Sequence, residues 1–442
     1  MIQALQLLLS LSILVVLHEF GHYITARMFG CRVEKFYLFM DWKFALWKKK
    51  IGETEFGLGW LPLGGYVKIS GFIDESMDSD GLESDPEPWE LRAKPAWQRL
   101  IVMLGGIIVN ILLAWLIYSM VLFSWGEEYI PVEKLTHGLS FNEGGKKLGF
   151  QDGDLLVSID GVRLVEFDNM MLMSSILFEG AKSVLVNRGG EDVLISIDNL
   201  LINDIISNLG PSSGPLLSPN FEWIIGEFVK GSVAERAGLK RGDQILAIND
   251  LETPFFNSVA RDYLRSQAGQ TITVVVQRGF GGRVENVPVE LGEDGFLGLS
   301  PLMDKYFDSR EYSFLSSFSG GLNKTINMVN MYWGQMKTIF NPKTGGYKHV
   351  GGVISIGKMF PGEWNWLVFW SMTALLSIIL AIMNLLPIPA LDGGHALIAI
   401  TEILTGKKLP LRVLMPLQVA GMIVLFALLI YANGMDIVRL FN

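Results

Sequence analysis

The chain has 442 residues, of which 50% are hydrophobic and only 18% are charged. Soluble domains carry about 25% charged residues, so this composition favours a membrane protein with soluble parts over an entirely soluble one. The net charge of −9 sums an acidic segment and several basic clusters, and it gives no support for a nucleic-acid-binding protein. The single cysteine, Cys31, excludes an intramolecular disulfide and is interpreted as an inert packing residue.

Four apolar segments are long enough to cross a bilayer, which takes about 20 helical residues. They are residues 1–22, 100–125, 364–391 and 413–435, and none of them contains lysine or arginine. The first segment is not typical of a cleaved signal peptide, because it lacks a basic start and a small-residue cleavage site. We therefore expect four membrane spans.

The basic residues indicate which side of the membrane each loop occupies. They cluster after the first span (Arg27, Arg32, Lys35, Lys43, Lys48, Lys49, Lys50) and between the third and fourth (Lys407, Lys408, Arg412). The positive-inside rule predicts that both of these loops are cytoplasmic. The long insert at about 126–363 then lies on the opposite side, which is the periplasm in a bacterial inner membrane.

The insert contains an internal repeat. GFQDGDLLVSIDG at 149–161 and GLKRGDQILAIND at 238–250 share one pattern, offset by about 90 residues, which predicts a duplicated β-rich domain. The pattern resembles PDZ domains of the circularly permuted kind found in bacterial envelope proteases. PDZ domains bind extended peptides at a sheet edge, so these copies either bind and screen substrates or act as rigid covers for the membrane part.

Two other segments outside the spans have a distinctive composition. The acidic segment at 74–90 lacks periodicity and predicts a solvated cytoplasmic linker. Residues 313–340 place apolar side chains at helical intervals. They predict an amphipathic helix that either lies on the membrane surface or packs on the third span.

The sequence HEFGH occupies residues 18–22, within the first apolar segment. Residues four apart share one face of a helix, so His18 and His22 can bind one zinc ion beside Glu19. Ionisable side chains at membrane depth are costly and are typical of functional sites. The motif therefore predicts a catalytic zinc site.

HEFGH supplies only two of the three protein ligands that catalytic zinc commonly takes. Asp392, in NLLPIPALDGGH at 384–395, is the only acidic residue between 364 and 400, and His395 is the competing ligand. Two neutral imidazoles and one carboxylate leave the site with a charge of about +1, which an ionised Glu19 would balance. This charge balance favours Asp392.

HEFGH in the first span, LDGGH closing the third, and PDZ-like repeats between the second and third resemble the site-two protease family of intramembrane zinc metalloproteases. The resemblance is to the bacterial branch with PDZ domains, and it extends over most of the chain. It implies that His18, His22 and Asp392 bind Zn²⁺ and that Glu19 is the general base. It also implies single-span membrane proteins as substrates, such as anti-sigma factors, and leftover signal peptides.

Two asparagines match further patterns of the family. Asn384 belongs to an NxxPxPxLDG pattern, in which Pro387 and Pro389 should break the third helix and leave Asn384 able to hydrogen-bond an extended substrate. Asn110 closes a GxxxN pattern that begins at Gly106. We expect Asn110 either to bind substrate or to serve only in helix packing.

The segment TEFGLGWLPLGGYVKIS at 54–70 is too short to span a membrane and has β-type residues around a Pro-Gly turn. It resembles the membrane-associated β-hairpin of the family, and a strand edge there would bind an unwound substrate. Gly57, Leu58, Gly59 and Trp60 are therefore predicted substrate-binding residues. A plain cytoplasmic hairpin is the alternative.

The predicted fold is an α-helical membrane protein with four transmembrane helices, a membrane-associated β-hairpin and two β-rich PDZ-like periplasmic domains. Its expected parts are a catalytic membrane part (1–125), a first PDZ-like domain (126–215), a second (216–305), an amphipathic connector (306–363) and a second catalytic membrane part (364–442).

The predicted function is that of an intramembrane zinc metalloprotease of the bacterial inner membrane. Its expected partners are single-span membrane protein substrates, the lipid bilayer and a substrate segment at the PDZ domains, without nucleic acid. A non-catalytic PDZ adaptor with a structural zinc site is one alternative, although such a site would not require Glu19. A zinc transporter is another, although it should have a chain of polar sites rather than the one cluster present.

Overall fold

A computed structural model describes residues 1–62, 64–72, 85–208, 215–279, 281–342, 344 and 346–441. They form two compact units, the first made of residues 1–126, 311–333 and 348–442 and the second of residues 127–310 and 334–347. Most of the acidic linker predicted at 74–90 lies outside the described residues.

The chain begins with two long helices that enclose four strands in sequence. These elements are α1 (Ile2–Met28), β1 (Val33–Leu38), β2 (Met40–Ile51), β3 (Thr54–Leu61), β4 (Tyr66–Ile69) and α2 (Ala96–Trp125). The strands form one sheet in the order β2-β3-β1-β4. β1 and β3 are parallel, and the other two pairs are antiparallel.

The hairpin of this sheet differs in position from the prediction. The predicted hairpin at 54–70 would pair β3 with β4, but β1 lies between these two strands. The hairpin is instead made by β2 and β3, with Ile51 opposite Thr54 at its turn. The predicted strand pairing was wrong because β1 and β2, which precede the segment in sequence, pair with β3 on its two sides. Strands β3 and β4 are therefore not neighbours.

The insert is built from short strands and short helices. The strands are β5 (Glu127–Pro131), β6 (Leu139–Phe141), β7 (Leu155–Ile159), β8 (Val162–Arg163), β9 (Glu166–Phe167), β10 (Ser183–Arg188), β11 (Glu191–Ser196), β12 (Leu217–Pro219), β13 (Phe221–Glu222), β14 (Ile225–Phe228), β15 (Gln244–Ile248), β16 (Leu251–Glu252), β17 (Phe255–Phe256), β18 (Thr271–Gln277), β19 (Val284–Glu290), β20 (Leu299–Pro301) and β21 (Asp308–Arg310). The helices are α3 (Glu143–Lys147), α4 (Asn169–Leu177), α5 (Asn199–Asn208), α6 (Val233–Arg236) and α7 (Ser258–Ser266).

The two repeats of the insert share one topology. The first has a four-stranded sheet in the order β11-β10-β7-β8, and the second has the same arrangement in β19-β18-β15-β16. Each repeat also has its own hydrophobic core. The core of the first repeat includes Leu216, Leu217 and Phe221, so this core extends past residue 215.

The Gly-Asp pair of each repeat fixes an arginine from a neighbouring strand. Asp154 and Asp243 are both buried. Arg188 donates to both carboxylate oxygens of Asp154 at 2.8 Å and to the carbonyl of Gly149. Arg278 donates to Asp243 at 2.6 Å and to the carbonyl of Gly238 at 3.1 Å. The repeated sequence pattern therefore encodes a repeated ion pair that joins the turn to the sheet.

The last third of the chain is helical, with α8 (Phe314–Phe340), α9 (Val353–Lys358), α10 (Trp366–Leu385), α11 (Asp392–Thr405) and α12 (Leu411–Phe441). Helices α1, α2, α10 and α12 are long and apolar enough to cross a membrane, which confirms the four predicted spans of a multi-pass membrane protein. The third span ends at Leu385 and not at 391, because Pro387 and Pro389 cannot continue the helix.

Helix α8 turns small residues toward α2. A Cβ on Gly321 would lie 2.3 Å from Ser119 Oγ, and Trp115 donates to the carbonyl of Phe318 at 2.8 Å. Four apolar residues of the predicted stripe, Phe314, Leu322, Ile326 and Trp333, are exposed. The predicted helix is present, and the contacts of Gly321 and Phe318 are with the second span.

Removing the charge of Asp243 tests the ion pair of the second repeat. Asp243→Asn should lower the free energy of unfolding of this repeat by about 3 kcal/mol, because Arg278 keeps its charge and loses a buried partner. Proteolysis of the intact protein along a denaturant series should then cut within 222–301 at lower denaturant than in the wild type. Asp250→Asn changes an exposed aspartate of the same repeat and is the control. It should leave the denaturant midpoint of cleavage unchanged.

Candidate metal centre

The site is built on a close crossing of α1 and α2. A Cβ on Gly21 would lie 2.4 Å from the carbonyl oxygen of Gly105, and a Cβ on Gly105 would lie 2.6 Å from the carbonyl oxygen of Gly21. Such distances are too short for any side chain, so both positions need glycine. The crossing brings the HEFGH turn of α1 directly against α2.

Gly106, the next residue of α2, lies beneath both imidazoles. A Cβ there would be 2.5 Å from His18 Cε1 and 2.5 Å from His22 Nε2. One turn further along α2, Asn110 Nδ2 lies 3.1 Å from His18 Nδ1. The GxxxN pattern in the sequence therefore marks two residues of α2 that lie against His18.

Three side chains meet at one point from α1 and the start of α11. His18 Nε2, His22 Nε2 and Asp392 Oδ2 are 3.3 Å apart in each of the three pairs. In a tetrahedron with metal bonds of about 2.0–2.1 Å, ligand atoms are about 3.3–3.4 Å apart. The spacing thus fits three ligands of one zinc ion and leaves a fourth position for water.

The chemistry of the three atoms also fits a cation. Asp392 Oδ2 is buried and has no hydrogen-bond partner among the described residues. His22 Nδ1 lies 2.8 Å from the carbonyl oxygen of Val102. A carbonyl only accepts, so Nδ1 carries the proton and Nε2 presents its lone pair to the metal position.

Asn110 fixes the second imidazole in the same way. Its Oδ1 is buried and has no hydrogen-bond partner in the described part of the chain, while its Nδ2 faces His18 Nδ1. Exchanging the two amide atoms, which are nearly equal in size, lets Oδ1 accept from His18 Nδ1–H. In this orientation both histidines present Nε2 to the metal, held by a group on α2.

His395, the competing ligand, supplies no atom to this group among the described residues. Its ring packs edge-on against Phe72 with 4.8 Å between ring centroids. The three ligand atoms that converge in the described part of the chain come from His18, His22 and Asp392. His395 nevertheless lines the cavity beside them.

The ligand group opens into a cavity of about 690 Å³. Glu19 lines it, and the backbone N–H of Val67 in β4 faces the Glu19 carboxylate. Asn384 reaches the same space from the end of α10, with Nδ2 3.1 Å from His18 Nε2. The cavity therefore unites a metal position, a carboxylate and an amide at its centre.

Comparison with known proteins identifies the family. The model of Peptidase family M50 matches residues 6–428. The chain belongs to Peptidase family M50. It is similar to "Regulator of sigma E protease" of Haemophilus influenzae, at 27% identity over 98% of both chains, and to "Protease RseP" of Yersinia pestis, at 28% identity over 92% of both.

The family and the ligand geometry together make this M50 peptidase a membrane zinc metalloprotease. The predicted enzyme class and the predicted cofactor, Zn²⁺, are confirmed. A metalloprotease needs both an open metal position and a nearby base. This enzyme class agrees with neither the adaptor nor the transporter alternative.

The predicted residues of β3 do not line the cavity of the M50 peptidase. A Cβ on Gly57 would lie 2.2 Å from the Tyr37 ring, and one on Gly59 would lie 2.3 Å from the Met40 backbone. These glycines are required by close packing within the sheet. A substrate contact for Gly57 and Gly59 stays a prediction.

Leu58 and Trp60 are likewise occupied within the sheet. Leu58 pairs with Trp47 on one side and Leu38 on the other. The Trp60 indole donates to the carbonyl of Trp42 at 2.7 Å. Around Leu58 the strand is therefore paired on both sides, and the cavity is bordered by residues of both edge strands, β4 and the start of β2.

Sequence reasoning missed several residues that line the cavity, including Met40, Asp41 and Trp42 at the start of β2. The strand β4 contributes all four of its residues, and α12 contributes Gln418. The open edge of β4 depends on pairing with the distant β1, so no local pattern revealed it. A signal for Gln418 did exist, because it is the only residue with a polar side chain between 413 and 430.

Gly106→Ala tests the packing beneath the imidazoles. The added methyl group would overlap both rings, so we expect zinc affinity to fall by at least about tenfold, as for lost support of metal ligands. Metal analysis and chelator competition on purified protein measure this change. Gly434→Ala in α12, where the space is open, should keep full zinc affinity. Wild-type zinc binding by Gly106→Ala would contradict this packing.

Proposed function

We propose that this metalloprotease hydrolyses peptide bonds within the spans of single-span membrane proteins. The position of the ligand group carries this proposal. His18 lies about 24 Å along α1 from its start at Ile2 and about 15 Å from its end at Met28. Because α1 is long enough to span the membrane, the site lies at membrane depth and not at a surface.

The groups around the metal position have separate roles in peptide hydrolysis. His18, His22 and Asp392 would hold a zinc ion, which would lower the pKa of a bound water to about 7 and polarise the scissile carbonyl. Glu19 accepts the proton of the attacking water and then donates it to the departing amine. The Val67 N–H holds the Glu19 carboxylate in place. The Asn384 amide donates to the carbonyl oxygen as negative charge develops there.

Substrate access to this chemistry requires an unwound segment. The peptide bonds of a spanning helix are hydrogen-bonded within the helix, and the groups freed by unwinding need new partners. Within the described residues β4 pairs only with β1, and Val67 of β4 lies next to Glu19. A substrate strand added to the outer edge of β4 would satisfy its main-chain groups beside the general base.

The expected substrates are anti-sigma factors or leftover signal peptides of a bacterial inner membrane, with the insert in the periplasm. The name "Regulator of sigma E protease" of a relative supports the first class. Basic residues in the two short loops support a cytoplasmic position for them. The insert, divided at about 126–215 and 216–305, would act as a pair of PDZ-like domains that screen or bind substrates.

Glu19→Gln separates catalysis from metal binding. Glutamine keeps the size of glutamate and loses its basic carboxylate, so cleavage should fall at least about 10²-fold while zinc is retained. The measurement is cleavage of a single-span reporter by protein reconstituted in vesicles, together with metal analysis. Full activity of Glu19→Gln would contradict the proton-transfer role.

Two matched variants test the ligand assignment in the same assay. Asp392→Ala should lose both zinc and cleavage, because it removes one of the three convergent atoms. His395→Ala should keep its zinc, because the His395 ring packs on Phe72. Zinc that is absent from His395→Ala and present in Asp392→Ala would reverse the assignment.

Removing the insert tests its proposed screening role. Deletion of residues 127–310 takes out the strands that form the two repeats. The deleted protein should then cleave single-span reporters that still carry a bulky periplasmic domain, which the full chain leaves intact. A folded, zinc-loaded deletion that rejects these reporters as strictly as the full chain would refute screening by the insert.

A further inference from the structure

Helix α12 carries one polar side chain in the middle of an apolar span. Between 413 and 430, Gln418 is the only residue that is not apolar. It is nevertheless the most deeply buried side chain of this segment, with 2% exposed. The neighbouring positions Leu417 and Val419 are exposed. Polar residues in a span are costly unless they have a partner or a function.

The docking of α12 explains why Gln418 is directed inward. Gly421, three residues later, packs against the turn that follows α10, where any Cβ would overlap the carbonyl oxygen of Pro389. Residues three apart lie on the same face of a helix. Gln418 therefore lies on the docked face of α12, beside the turn that leads to Asp392.

The Gln418 side chain lines the metal cavity together with Glu19, Asn384 and Asp392. Among the described residues, no group of the protein hydrogen-bonds its amide. The amide has one acceptor oxygen and two donor hydrogens. An extended main chain offers the complementary groups, alternating carbonyl oxygens and N–H groups.

We propose that Gln418 binds the main chain of the unwound substrate segment in the cavity. This inference rests on the proposed function and adds to it a substrate contact from a fourth element, besides α1, α10 and β4. The Gln418 amide replaces hydrogen bonds that the substrate loses when its helix opens. Recognition through the main chain does not depend on the side chains of the substrate, so it suits spans of differing sequence.

Two zinc-binding inhibitors of different length test the proposal. Acetohydroxamic acid occupies the metal position alone, whereas a peptidyl hydroxamate also places a main chain in the cavity. Gln418→Met matches the length of glutamine and removes its hydrogen-bonding groups. It should weaken inhibition by the peptidyl hydroxamate by about tenfold, the effect of one lost hydrogen bond, and leave acetohydroxamic acid unchanged.

Two further variants complete the test in the full reconstituted protein. Gln418→Asn withdraws the amide by one methylene and should show the same selective loss. Met422→Leu, a volume-conserving change one turn away on the same face of α12, should leave both inhibitors and the zinc content unchanged. Unchanged binding of the peptidyl hydroxamate by both Gln418 variants, or equal weakening of both inhibitors, would overturn the proposal.

The proposed function has a separate point of failure in the same experiment. If zinc-loaded wild-type protein cleaves no single-span reporter and binds neither inhibitor, intramembrane proteolysis itself is refuted. If the wild type cleaves and binds both inhibitors while the Gln418 variants behave as the wild type does, only the role of Gln418 is refuted.

Discussion

The contact between the backbones of α1 and α2 is the constraint on which the rest of the membrane part depends. Gly21 and Gly105 allow the two helices to meet with no side chain between them. Only at this separation can Gly106 support the imidazoles and Asn110 reach His18. Because α2 also packs against α10 and α11, it positions every element that contributes to the metal centre.

The second half of the site is placed on α2 by similar means. Asp392 begins α11, where the helix dipole favours a negative charge. The two glycines that follow it allow the helix start to pack on the preceding turn, since a Cβ on Gly393 would lie 2.3 Å from the carbonyl oxygen of Leu385. Toward the other end of α11, Glu402 forms an ion pair with Arg99 of α2. Both ends of α11 are thereby fixed, which leaves Asp392 little freedom relative to His18 and His22.

The sequence predicted the chemistry of the site better than its architecture. HEFGH is a local pattern, because helical geometry alone places His18 and His22 on one face. Asp392 could be found because it is the only acid in a long apolar stretch. The strand that borders the site could not be found in this way. Pairing in the sheet joins segments that are distant in sequence. Because β1 lies between β3 and β4, the residues that predicted a hairpin wrongly indicated β3 as the strand with a free edge.

The glycines of β3 illustrate the same limit. Their pattern drew attention to Gly57 and Gly59, and the structure shows that Tyr37 and the Met40 backbone occupy the space of their missing side chains. A glycine that approaches a substrate and one that accommodates a neighbouring ring look identical in sequence. To distinguish the two, one must know which group occupies the space beside the glycine. In neither case is that group adjacent to the glycine in sequence.

Packing differs between the elements that carry the chemistry and those proposed to hold the substrate. In the apolar windows of the spans, 33% of residues are buried in α1 and 44% in α2 and α10, but only 11% in α12. Helix α12 touches the membrane part along one narrow face, through Gln418 and Gly421, and is tied to α9 where Asp436 accepts from the Ser355 N–H at 2.9 Å. His18 and His22 lie on α1, which is more buried than α12 and packs closely against α2, where small displacements are costly. The amide of Gln418 lies on the least buried of the four spans, which can adjust to a substrate without disturbing the metal geometry.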